Sequence, residues 1–335
     1  EESDHAQGYL FGGEAADLQS VFQIDNLAFY GQYNQTLNER TELSLNLRVD
    51  RNAIDYHGTT DSADWTGFDI NQWLTGGKLA LTHNLGRGRH LYAAASRGYR
   101  AGGVNQHPRL AAENRPYDPE YLLNFEIGYR ASGAKSTTNL TFFHALRDEQ
   151  QVSLSSQQNP GDPNSFFFFT ANASTGRSSG IEFEQSYSLL PTLRLSGSLG
   201  LLRTHVDAYT FEAAEGTPAT LGERDAAHAP AYTARLGTEY AAKSGLFARL
   251  DMTATDAFFH SDSHDQKSDA YQLFHSRLGY KRGAHTFTLW GRNLLDERYT
   301  TRGFFFGLAP PNYADTLYKS YGDPRQLGLS LSTAF

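Results

Sequence analysis

The sequence contains no cysteine and a single methionine among its 335 residues. Without cysteine there is no disulfide framework and no thiolate metal site, and the composition suits a compartment where stray thiols are oxidised. No run of about 18 apolar residues occurs, so no segment reads as a transmembrane helix. Basic clusters are also missing and the formal net charge is -8, which argues against a nucleic-acid partner. The glycines of SRGYRAGGV lack the strand-to-helix context of a phosphate-binding loop. No HExxH or Ser-His-Asp order appears, so the expectation is a protein that is not an enzyme and holds no cofactor or metal. The opening residues EESDHAQGYL carry neither an initiator methionine nor a signal peptide, which suggests a chain processed or cut from something longer.

What the sequence has in plenty is tyrosine (19) and phenylalanine (22), a bias towards strands. Apolar and polar residues alternate with period two. TELSLNLRVD sets Leu43, Leu45, Leu47 and Val49 against Glu42, Ser44, Asn46, Arg48 and Asp50. LLNFEIGYR separates Leu123, Phe125, Ile127 and Tyr129 from Asn124, Glu126, Gly128 and Arg130. TLRLSGSLGLL, YTARLGTEY and LFARLDMTA repeat the pattern, with Phe247 as an exception. About thirteen strands of roughly ten residues can be drawn, longer than the usual five or six.

Short turns fall near 35–40, 86–89, 131–136, 189–191, 241–245 and 281–284, and long polar stretches near 51–76, 98–120, 149–176, 206–229, 260–269 and 294–323. Short and long alternate without a break, as in a transmembrane β-barrel with tight periplasmic turns and long extracellular loops. A soluble β-sandwich shares the strand pattern but gives no reason for the asymmetry of the loops. Charge then sets the facing. The polar faces of the five clean strands carry Glu42, Arg48, Asp50, Glu126, Arg130, Arg194, Arg235, Glu239, Arg249 and Asp251. Turning all of them to lipid would cost on the order of 10 kcal/mol or more. The expectation is an all-β antiparallel barrel, apolar outside, with a wet and charged lumen.

Several longer stretches resemble TonB-dependent outer-membrane receptors. These are LYAAASRGYRAGGVNQHP followed by RPYDPEYLLNFEIGYR, then TGRSSGIEFEQSY, WGRNLLDERYTTRGFFFG and the terminal YGDPRQLGLSLSTAF. The likeness runs from about Gly77 to Phe335. It implies the C-terminal part of a 22-stranded barrel, some 13–14 strands over residues 1–335, without the plug domain, the TonB box or the first strands. A weak strand around GYLFGG would be the fourteenth and could close a smaller barrel. The implied function is active uptake of a scarce ligand across the Gram-negative outer membrane, a ferric siderophore or similar chelate, energised through TonB. Implied partners are outer-membrane lipid, the TonB complex and the barrel-assembly machinery, which reads the terminal strand through Leu327, Leu329, Leu331 and Phe335. A passive porin-like or structural barrel is the alternative.

Ligand contact is expected from the extracellular loops. Tyr99, Arg100, Arg109, Arg115 and Tyr117 suit an anionic or aromatic chelate by bidentate bonding and stacking, or the plainer work of stabilising a long loop. Of the four aromatics in NSFFFFTANAS, Phe166 and Phe168 are candidates for a hydrophobic ligand patch, with loop packing as the competing role. His260, Asp262, His264, Asp265 and Asp269 have metal-binding types but match no closed zinc spacing, and read as a solvated loop. Glu182 and Glu184 share one face, and pairing with lumen arginines is favoured over paired-carboxylate catalysis.

Overall fold

The structure is a computed structural model. It describes the backbone of residues 2–334 except 12–13, 61–62, 108–109, 111, 158–165, 174 and 215–216. Side chains are described for the same residues other than 2–17, 60, 63–66, 113, 155–157, 166–167, 211–214, 217 and 219.

One antiparallel sheet of 14 strands, paired in chain order, makes the body of the protein. Its strands are β1 (Glu2–Phe11), β2 (Glu14–Asn38), β3 (Thr41–Thr60), β4 (Ala63–Gly86), β5 (Arg89–Arg100), β6 (Glu120–Ser132) and β7 (Ser136–Asp148). They continue as β8 (Gly176–Leu190), β9 (Leu193–Val206), β10 (Tyr232–Ala241), β11 (Leu246–Thr255), β12 (Tyr271–Arg282), β13 (His285–Arg292) and β14 (Gln326–Thr333). The first strand takes in the GYLF stretch, so fourteen strands are found where the clean alternation gave thirteen. Among the described residues β1 and β14 are not hydrogen-bonded to each other.

Tight turns join the strands at one end. The connection from β4 to β5 is the two-residue turn Arg87-Gly88, with φ of 55° and 70° and Gly86 opposite Arg89. Positive φ at both central positions is the hairpin turn whose twist matches that of the strands, and glycine takes it without strain. At the other end lie the long connections 101–119, 149–175, 207–231, 256–270 and 293–325. Four of them contain a small hairpin of their own: Gly103–Val104 with Pro116–Tyr117, Gln151–Gln157 with Phe166–Asn172, Tyr209–Ala214 with Thr217–Leu221, and Thr300–Phe306 with Thr316–Tyr321.

The facing follows the charge argument. Leu47, Leu236, Leu329 and Phe287 are exposed on the outer face, at 59%, 61%, 83% and 54%. No second sheet covers them among the described residues, whereas a sandwich would bury these rows. Arg48, Asp50, Arg235, Arg249 and Asp251 lie on the opposite face, joined in ion pairs.

One expected loop is sheet instead. Residues 51–60 and 63–76 continue β3 and β4, paired from Asp50 opposite Leu74 to Tyr56 opposite Phe68. The strands β2, β3 and β4 run 25, 20 and 24 residues. At about 3.4 Å per residue the longest reaches about 80 Å, far beyond a hydrocarbon core of about 30 Å. The alternation persists above the bilayer but its polarity inverts. Up to Val49 the apolar residues point outward; beyond it Ile54 and Tyr56 point inward, buried at 4% and 0%, while Arg51, Asp55 and His57 face out. Outside is now water, and the inner face is covered. That reversal made a strand look like a polar loop.

Candidate functional site

Above the wall the long connections pack on one another. Leu110, Val152, Leu154, Phe169, Ala173 and Tyr209 come from three of them and, with Val206 at the end of β9, form one buried cluster. Side-chain amides clamp the backbones together, since buried peptide groups need partners. Asn105 exchanges two bonds of 2.7 Å with the backbone of Thr170, and Gln151 donates to the carbonyls of Ala101 and Asp118 at 2.8 and 3.0 Å.

Against this cap sits a cavity of about 370 Å³ lined by Phe168, His228, His260, His264, Arg302 and the run Phe304–Phe306. Its walls come from four loops. The 256–270 segment is held by the connection before it. Arg224 donates to the carbonyls of Ser261 and His264 at 2.9 and 3.3 Å, pairs with Asp265 at 3.1 Å, and stacks 4.2 Å over Phe259. The Tyr209 hydroxyl donates to the Asp262 carbonyl at 2.9 Å.

The histidines are packed, not solvated, which corrects the expectation for this loop. His260 is 3% exposed, its ring 5.6 Å from Phe258, and neither of its ring nitrogens has a hydrogen-bond partner among the described residues. His264 lies 6.0 Å from Phe305. Burial holds the pKa of both imidazoles below the usual value. For His260 the charges of His264, His228 and Lys319 act the same way, and Asp269 opposes them. For His264, Arg224 lowers and Asp265 raises. A depressed histidine pKa means that the folded chamber favours the neutral rings. Its stability is therefore full above the unfolded value of about 6.5 and declines as the pH falls through it. Because the chain lacks cysteine, Ser268→Cys, buried at 4%, supplies a single reporter thiol. Its labelling by a pyridyl disulfide is expected to speed up between about pH 7.5 and 5.5, and His260→Phe to flatten that rise. A rate equally pH-dependent in both would contradict the assignment.

Below the chamber the lumen wall is charged. Asp251 accepts from Arg249 Nε at 2.6 Å and Arg235 Nη2 at 2.8 Å, and Arg249 Nη1 reaches Glu239 at 3.2 Å. Glu184 accepts from Asn139 at 3.1 Å, an amide and not an arginine. A further groove of about 690 Å³ is lined by Arg235, His275, Arg277, Trp290 and Arg292.

The expected contact residues scatter. Phe168 is exposed at 60% and lines the chamber, while Phe169 joins the buried cluster. The Phe166 backbone lies in a hairpin strand and its side chain is outside the described residues. Tyr99 turns its hydroxyl to Asp50 and accepts from Arg48 Nε at 3.1 Å, part of the lumen network. Arg100 ends β5, exposed and opposite Glu120. Arg115 donates to the Leu110 carbonyl at 3.0 Å and so braces its own loop. Tyr117 pairs with Gly103 in a two-residue ladder. Arg109 and Phe335 lie outside the described residues. Sequence reasoning missed His228, Arg302 and the Phe304–Phe306 run as chamber residues, although FFF after a glycine was a visible aromatic signal. Leu327, Leu329 and Leu331 share the outer face of β14.

A wall that is apolar outside and charged inside, with loops packed over one end, defines the class: a transmembrane β-barrel of the receptor type. The chain belongs to the TonB-dependent receptor-like β-barrel family, whose family model matches residues 3–294. This is an outer-membrane family of transporters and not of enzymes. Among curated proteins the chain is similar to the pesticin receptor of Yersinia pestis, 22% identical over 290 residues, covering 84% of this chain and 41% of that protein. Among solved structures it resembles the ferric yersiniabactin uptake receptor FyuA from Yersinia pestis, with TM-score 0.80 and 18% identity over 100% of this chain and 49% of FyuA. The siderophore receptor PiuA from Acinetobacter baumannii aligns with TM-score 0.70 and 16% identity over 95% of this chain and 43% of PiuA. At these identities the structures establish the fold alone. The chain spans less than half the length of each of these relatives.

Proposed function

We propose that these residues are the C-terminal barrel portion of an outer-membrane receptor that imports a metal chelate of the ferric-siderophore kind. In the whole receptor a plug domain and further strands complete a 22-stranded wall, and TonB supplies the energy through the plug. Two unpaired sheet edges in hydrocarbon would leave backbone groups unsatisfied, which favours a larger wall over this sheet alone. The names of the relatives point to the same ligand class.

The observation that carries the reading is the chamber. Aromatic faces, an arginine and buried histidine nitrogens without partners converge on one cavity of about 370 Å³, a size suited to a compact small ligand. Aromatics stack on a planar chelator, Arg302 answers its negative charge, and His260 offers a directed nitrogen. The test is binding of a panel of ferric catecholate, hydroxamate and phenolate chelates to the purified receptor. For the chelate that binds, Phe168→Ala with Phe304→Ala is expected to raise Kd about 10- to 100-fold, at about 1 kcal/mol or more per stacked ring. Unchanged affinity in that variant, or no binding by any ferric chelate, would overturn the reading.

A further inference from the structure

The connection 293–325 leaves β13 and returns to β14 through a hairpin, Thr300–Phe306 paired with Thr316–Tyr321. That hairpin gives the chamber Arg302 and the run Phe304–Phe306. At about 3.4 Å per residue, Phe306 stands about 20 Å from Thr300. A tilt of about 10° at the base would move it by about 3 to 4 Å. What holds the base therefore decides where the chamber wall stands.

Asn293 sits at that base, 3% exposed, and its amide clasps the outgoing chain to the returning one. Nδ2 donates to the carbonyls of Glu297 and Asp323 at 2.9 and 3.0 Å, and Oδ1 accepts from Glu297 N at 2.9 Å. Asp296 Oδ1 adds a second crosspiece by accepting from Arg325 N at 2.8 Å. The clasp stands on β12, since Asn293 N donates to His275 Nδ1 at 3.3 Å and Leu294 N to the Phe274 carbonyl at 2.9 Å. Tyr299 closes it. Its ring stacks 4.6 Å from that of Tyr271, and its carbonyl accepts from Gly322 N at 3.0 Å. A Cβ at Gly322 would overlap the Tyr299 ring, so the two sides of the base are in contact.

The residue type is demanded twice over. The backbone at Asn293 has φ 46°, in the left-handed region that asparagine enters more readily than most residues. Its side chain must also donate twice and accept once, which only an amide does among short side chains. Glycine would meet the first demand and fail the second; aspartate would lose both donors. A turn that merely reversed the chain would need the backbone alone.

We propose that Asn293 is a positioning residue for ligand capture: with Asp296 and Tyr299 it clasps the base of the last hairpin and so fixes Arg302 and Phe304–Phe306 in the chamber. This rests on reading the chamber as the ligand site. A constellation of this kind has to be held to within about 0.5 Å and 10–20° by the groups behind it, and the clasp supplies that support without touching the ligand.

The test uses the absence of cysteine. Ser320→Cys on the hairpin and Ala284→Cys at the opposite end of the β12–β13 pair are both exposed and take nitroxide labels in the whole receptor. Electron–electron double resonance between them is expected to give one narrow distance distribution in the otherwise wild-type chain. Asn293→Ala and Asn293→Gly should both broaden it, while the temperature at which the folded band converts on a gel changes by no more than about 3 °C, because the loss is local. For a ferric chelate that wild type binds, both variants should raise Kd about tenfold. The distance measurement needs no ligand, so failure of every chelate to bind would count against the chamber's assignment and not against the clasp. Should the Asn293 variants fail to assemble, Asp296→Gly carries the test, since it keeps the left-handed backbone and removes the bond to Arg325. An unbroadened distribution in the variants, wild-type behaviour of Asn293→Gly, or broadening with unchanged Kd would each overturn the proposal.

Discussion

Leu236→Arg is expected to abolish the heat-modifiable, folded form of this protein, while Thr233→Arg leaves it in place. Leu236 stands near the middle of β10, 61% exposed on the outer face, paired with Met252 on one side and Gly197 on the other. Lipid is its environment, and a guanidinium at that depth costs about 2–4 kcal/mol. Losing the leucine's apolar area adds about 1–2 kcal/mol. Thr233 lies three residues back on the opposite face, exposed to the lumen between Gly200 and Thr255. An added cation there stays in water. The same chemical change thus differs by two or more powers of ten in assembled protein. Unheated and boiled samples on a gel, with fractionation of the outer membrane, read the outcome directly. Equal behaviour of the two variants would refute the facing on which the whole architecture rests.

The second large effect concerns the inner wall. Tyr92 of β5 lies across Gly128 of β6 and reaches Thr141 Oγ1 of β7 at 3.1 Å, with the Arg130 guanidinium 4.9 Å from its ring. Three strands are tied by one side chain. A Cβ at position 128 would overlap the Tyr92 ring, so Gly128→Val must displace the tyrosine and break the bridge. Overpacking costs about 1–3 kcal/mol and the lost hydrogen bond about 1 kcal/mol more. Gly98→Val is the matched control, because a Cβ there meets nothing within 4 Å and valine suits a strand. The temperature at which the folded band converts on a gel is expected to fall by about 5 °C or more for Gly128→Val and to stay within about 2 °C for Gly98→Val. A drop of similar size in both would mean that the strand penalises any side chain, and that the tyrosine bridge is not the cause.

Much of this was legible in residues alone. The apolar rows at 43–49 and 123–129, and the arginines between apolar residues at 194, 235 and 249, fixed strand identity and facing, because lipid on one side and water on the other impose a two-residue period. The alternation of tight turns with long connections fixed which end is which. The chamber was not legible. Phe168, His228, His260, Arg302 and Phe304 are separated by up to 136 positions, and no local pattern records that their loops converge. The histidines looked solvated because the loop around them is polar, while their burial comes from Phe258, Phe305 and neighbouring loops.

The extended hairpin of β3 and β4 shows the division most plainly. The sequence by itself determined that each strand has two unlike faces, since side chains alternate whatever surrounds them. Only the tertiary structure decided what each face meets. Above Val49 the outside is water and the inside is covered, so Ile54 and Tyr56 turn inward where Leu45 and Leu47 turned out. The period belongs to the backbone, and its polarity belongs to the surroundings.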